Sequence, residues 1–250
     1  MKSLNTLVLL PLLGVFFAGG CRSPLDLTST WTNSPVSIDG SNSDWTSLTT
    51  LESPSLSLGA RNDQEYLYLC LTTADPGIQA QILFAGFTVW FPSNHQGAHP
   101  FGIQFPLKRD RPARIEGRDQ FEAMFQAFEP GMNSLLILEG SDRQQFSVLQ
   151  APAIKVRIGL TRGLLIYEIQ VPLKTTSDTP YAAVPTAGGV VAATFETSVA
   201  DRDELQSSST RPGRSMRRGP GGAPPASLGG SETPGQLRLH AIIHLGQSGL

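Results

Sequence analysis

The run Glu65-Tyr66-Leu67-Tyr68-Leu69-Cys70-Leu71 restricts the fold more than any other segment. Side chains alternate across a strand, so Leu67, Leu69 and Leu71 share one face while Tyr66, Tyr68 and Cys70 share the other. Both faces are apolar, the pattern of a central strand covered on both sides. Such a strand needs a neighbour on each edge and a further layer over its face.

The rest of the chain offers strands to supply them. With 25 Gly and 19 Pro in 250 residues, turn signals recur throughout, and long helical periodicity is nearly absent. Pro35–Ile38 reads as a first strand ending at the Asp39-Gly40 turn, and Ser55–Leu58 pairs with Glu65–Leu71 across Asn62-Asp63. Asp75-Pro76-Gly77 breaks the run, and a turn of helix follows to about Leu83. Phe84–Phe91 is the next strand, with Phe87, Val89 and Phe91 on one face and Trp90 on the other. Phe101–Pro106 follows and is stopped by proline. Phe121, Met124, Phe125 and Phe128 recur at three and four, which predicts an amphipathic helix over 118–128 against an edge or end of the core. Strands are expected at Leu135–Leu138, Phe146–Leu149, Ile154–Ile158, Leu164–Val171, Val190–Thr197 and Leu237–Leu245, the third and fourth forming a hairpin. Residues 206–235, rich in Ser, Pro, Gly and Arg, bury too little to offset ordering entropy and read as a long disordered loop. The fold class is therefore all-β: an antiparallel β-sandwich with one or two short helices and that loop before the last strand.

Location is written at the start of the chain. Lys2, the apolar run Leu7–Phe17 and the small residues Ala18, Gly19 and Gly20 before Cys21 make residues 1–20 a secretory signal peptide, too short in its apolar part to span a bilayer. Its end resembles the lipobox of bacterial lipoproteins, departing from it where Ala18 stands for the usual Leu, and the resemblance implies a palmitate-type lipid on the Cys21 thiol. The other reading is an ordinary secretory signal beside an incidental cysteine. Residues 21–30 then form a lipidated tether, and 31–250 a single domain. Cys70, the second of 2 cysteines, is left without a partner and reads as a buried, inert thiol. Arg22 after the cysteine favours the outer membrane by resemblance to lipoprotein sorting in enteric bacteria. A formal net charge of −2 gives no reason to expect nucleic acid as a partner.

Val36-Ser37-Ile38-Asp39-Gly40, then Asp44-Trp45, then Glu65–Leu69 with Asp75 beyond, resemble the opening of family 9 carbohydrate-binding modules and related DOMON-like sandwiches. Gly86–Phe91, Phe101–Pro106 and Leu165–Leu173 look like a group of uncharacterised bacterial lipoproteins on the same sandwich. The resemblance implies two packed antiparallel sheets and a glycan or small-molecule ligand, with aromatic rings as platforms for sugar faces. Trp31, Trp45 and Trp90 are the rings available. Trp45 reads as a plug for one end of the core and Trp31 either as an N-terminal packing residue or as a binding ring, whereas Trp90, followed by Ser93-Asn94-His95-Gln96, is the best platform candidate, its other reading being packing. Trp90, His95 and Trp31 are thus the expected ligand-binding residues, and bound calcium is left open.

Catalytic patterns are weak. His95 and His99 have a helical metal-ligand spacing, but Gly97 and Pro100 break any helix there. His240 and His244 share a strand face at ~13 Å, too far to hold one ion. Asp39 and Asp44 flank a turn and read as turn chemistry rather than a glycosidase pair. No Gly-x-Ser-x-Gly elbow, phosphate loop or Cys-x-x-Cys pair is present. The expectation is a non-catalytic, cofactor-free binding module, held at the bacterial envelope by its lipid, that takes a carbohydrate. The alternative is a structural or protein-interaction lipoprotein of the envelope. Arg211, Arg214, Arg217 and Arg218 read either as solvated spacing or as a contact for anionic lipid or acidic glycan.

Overall fold

The computed structural model describes residues 23–52, 54–92, 99–109, 118–129, 132–198 and 236–248. Among them two sheets face one another. The first runs β1 (Leu25–Thr28), β13 (Arg238–His244), β12 (Val190–Thr197), β6 (Phe87–Phe91), β7 (Phe101–Gln104), β8 (Ser134–Glu139), β9 (Asp142–Ser147). The second runs β10 (Lys155–Thr161), β11 (Leu164–Pro172), β5 (Tyr66–Thr73), β4 (Ser55–Asn62). The far edge of β4 is shared by β3 (Thr49–Glu52) and β2 (Thr30–Trp31). The expected all-β sandwich is present, with β5 between β4 and β11 as its two apolar faces require. Most pairs are antiparallel, while β1 on β13 and β2 on β4 are parallel.

Alternation fills the space between the sheets. Leu67, Leu69 and Leu71 of β5 meet Phe87, Val89 and Phe91 of β6 and Phe195 of β12 in one buried core. The Phe87 ring stands edge-on to Tyr167 of β11 at 4.9 Å, a favoured aromatic geometry. The 118–128 helix, α2, forms at Arg118–Phe128 and buries Phe121 and Phe125 in the same core. Asp75 caps the short helix α1 (Pro76–Ala80), its carboxylate accepting from the Gly77 and Ile78 N–H groups, and a π-helical turn continues to Ala85. Phe84 and Ala85 therefore belong to that turn, and β6 begins only after Gly86.

The other face of the second sheet has its own cover. Residues Thr32–Leu48 cross it, and Val36 and Trp45 pack with Tyr68, Cys70 and Ile166 in a second, smaller core. Pro35–Ile38, expected as a strand, is irregular because its apolar side chains serve this cover rather than a ladder. Trp45, expected as an end plug, likewise lies on the sheet's outer face. Cys70 is fully buried and its thiol free, with burial and the nearby Glu168 carboxylate pushing its pKa up.

Three further differences have local causes. Residues 25–31, read as the end of the tether and an N-terminal ring, form β1 and β2. Leu27 enters the core while the chain changes sheets at the buried Ser29. The Ser29 hydroxyl donates to Asn62 Oδ1, the Gly246 N–H donates to both Ser29 Oγ and Asn62 Oδ1 at 2.9 Å, and Asn62 Nδ2 returns to the Gly246 carbonyl at 3.1 Å. The strand expected at Phe146–Leu149 instead spans Asp142–Ser147, because the Gly140-Ser141 turn sets the β8–β9 register and leaves Leu149 at 92% exposure in the following turn. Residues 1–22 and the 206–235 loop lie outside the described residues. Among the described residues no helix is long and apolar enough to cross a membrane.

Candidate functional site

The Asp39-Gly40 turn and Trp45, part of the motif that drew the resemblance, converge on one buried carboxylate. Glu168 lies on the outer side of β11, where the cover makes it 0% exposed. Its Oε2 accepts from the N–H groups of Asp39 (3.0 Å) and Gly40 (2.7 Å), and its Oε1 from Trp45 Nε1 (2.7 Å). Gly40 turns with φ +83°, and its carbonyl comes so close to Gly159 that a side chain on Gly159 would collide with it. Burial raises the Glu168 pKa, and the Trp45, Gly40 and Asp39 donors oppose the rise. These residues form a clasp that holds the cover on the sheet. Asp39 also accepts from the Ser41 N–H, and Asp44 from the Ser37 N–H, so both carboxylates do turn work.

Trp90 has a different setting. It points away from the core on β6, half-buried on the outer face of the seven-stranded sheet. Register runs from His240 through Thr194, Trp90, Gly102 and Leu138 to Arg143, one residue per strand on that face. Gly102 makes room for the ring: a Cβ there would stand 2.7 to 2.8 Å from three atoms of its six-membered part, so the indole lies across the bare glycine. The indole N–H donates to Glu196 Oε1 at 2.7 Å, and Arg238 Nε stands 3.6 Å from the other oxygen, Glu196 Oε2. A neighbouring strand, a missing side chain and a charged acceptor thus fix the ring's orientation. Thr194 Oγ1 and His240 Nδ1 are hydrogen-bonded at 2.9 Å in an exposed part of this face. At His240 the row meets a pocket of about 460 Å³ where β13 runs on past the start of β1, lined among others by Ser23, Asp26, Leu51 and Pro54.

The remaining candidates separate. Trp31 is half-buried on β2 of the opposite sheet, its Nε1 donating to Asn33 Oδ1 at 2.9 Å, so it does not share a face with Trp90. His95 and Cys21 lie outside the described residues. His99 rests against Gly140, and His244 pairs with Asp26 at 2.9 Å while His240 pairs with Thr194, so the two β13 histidines have separate partners. Among the described residues no three His, Cys, Asp or Glu side chains gather as a metal site. Sequence reasoning isolated Trp90 but missed Gly102, Glu196 and Thr194 as its neighbours. The only signal was the outward position of Trp90, since identifying those neighbours requires the strand register.

The arrangement is a β-sandwich with a half-buried, hydrogen-bonded indole on one outer sheet face. Neither a protein-family model nor a curated protein matches the sequence. Among solved structures the chain is similar to a family 9 carbohydrate-binding module from Caldicellulosiruptor kristjanssonii in complex with glucose. That match has 12% identity and a TM-score of 0.37 and covers 71% of this chain and 80% of that one. It is also similar to a family 9 module from the same organism in complex with cellotriose, at 12% identity and a TM-score of 0.36, covering 72% and 79%.

Proposed function

We propose that this protein is a non-catalytic binding module, anchored to the bacterial envelope through lipid on Cys21, that takes a carbohydrate on the outer face of its seven-stranded sheet. The observation that carries the reading is the Trp90 ring laid across Gly102 with its N–H held by Glu196. A flat, oriented indole offers dispersion contact and water exclusion to the C–H face of a pyranose. Hydroxyl and imidazole groups beside it, Thr194 and His240, suit the exchange of hydrogen bonds with sugar hydroxyls. A pre-set ring costs little to immobilise on binding. The secretory segment and Cys21 support the location, and the outer membrane is the destination that Arg22 suggests.

The test is a glycan panel read by calorimetry on the full-length protein in detergent, with Trp90→Ala as the comparison. At least one glycan is expected to bind, and Trp90→Ala to weaken it tenfold or more, about 1.4 kcal/mol, in a variant that still folds cooperatively. Absence of binding to every glycan, together with an envelope protein recovered by cross-linking to this sheet face, overturns the reading in favour of a protein-interaction role.

A further inference from the structure

Among the described residues, charges on this sheet face are answered in pairs, with one exception. Arg238 stands beside Glu196, and His244 beside Asp26. Arg143, exposed on β9, has no carboxylate partner among the described residues. It occupies the end of the row that contains Trp90, three strands away across Gly102 and the half-buried Leu138. Neighbouring strands are 4.7–4.9 Å apart, so the two side chains are rooted about 14 Å from one another on the same surface. Gln145 projects from the same side of β9, adding an amide beside the guanidinium.

We infer that the ligand is a carboxylate-bearing sugar chain lying across the strands, one ring stacked on Trp90 and a uronic-acid carboxylate taken by Arg143. The inference rests on the carbohydrate reading of this face and narrows its substrate class. A guanidinium matches a carboxylate with two parallel N–H donors, which a neutral hydroxyl does not use. Leu138 between the two positions gives the chain an apolar floor instead of a competing charge. Because Arg143 is exposed, its contribution is one of selectivity and is screened by salt.

The test compares tetra-galacturonate, which carries a carboxylate on every ring, with its fully methyl-esterified form and with poly-L-glutamate, by calorimetry on the full-length protein. The acid is expected to bind about two- to five-fold more tightly than the ester at low salt, the preference shrinking as salt is raised. Arg143→Gln should bring binding of the acid down to that of the ester, and Trp90→Ala should weaken both. Equal binding of acid and ester, a preference that survives Arg143→Gln, or poly-L-glutamate binding as tightly as the acid overturns the inference. So does failure of both galacturonate forms. If another glycan still binds in a Trp90-dependent way, the carbohydrate reading stands without this refinement; if none binds, both fall.

Discussion

Glu168 shows how one side chain joins two layers. It sits on a β-strand, yet three donors from the irregular cover reach it, and it is the residue that makes the Asp39-Gly40 turn and Trp45 a unit. Glu168→Ala leaves those donors buried without an acceptor and opens a void, which should cost about 3–5 kcal/mol in urea unfolding, while Glu168→Gln keeps one carbonyl acceptor and should cost less. The pH dependence has a definite sign. Burial holds the folded pKa above the unfolded one, so the folded state binds this proton more tightly. That contribution to stability is fully present below the unfolded value, ~4.3, and is lost as pH rises through the folded one. Wild-type stability measured against Glu168→Gln should therefore grow as pH is lowered from neutral toward about 4. The residue was not legible from sequence: within Leu165–Leu173 it reads as one polar position of a strand, and its partners lie more than a hundred positions earlier. The motif itself was legible, but its chemistry was not.

Elements with a full run of alternating apolar residues were read well, and those with few apolar positions were not. The β4–β5 and β10–β11 hairpins follow from alternation and local turns, and β12 from alternation alone. The four residues of β1 carry only two apolar positions, too few for a period to register, and their ladder partner is β13. Polar Asp142–Gln145 hid the start of β9, since an exposed edge strand needs no apolar face. The sheet-switching point at Ser29 is held by Asn62, which also fastens Gly246 behind the last strand. Asn62→Ala should cost about 3 kcal/mol, because several buried groups lose their partners together. Hydrogen exchange should show the loss first in β1 and β2, ahead of β5 and β11. Retained protection in β1 and β2 would count against this account.

For the molecule as a whole, the parallel pairing of β1 and β13 puts Pro24 at the strand end where Arg238 begins. The proposed tether would leave there, along the strands, whereas the Trp90 row runs across them. The platform would then stand on the flank of the domain, turned neither toward the anchor nor directly away from it. Membrane attachment should depend on one thiol: Cys21→Ser is expected to abolish incorporation of labelled palmitate and to move the protein from the membrane fraction to the soluble one, with glycan binding retained. Persistence in the membrane fraction would remove the anchor from the proposal. The same pairing also sets a timetable. Leu25 lies opposite Ala241, so the edge of the first sheet remains open while the chain is being made, and closure must wait for a strand more than two hundred residues later. Folding of that sheet is thereby governed by a slow, non-local search, and a chain interrupted before β13 would keep β12 as a bare edge.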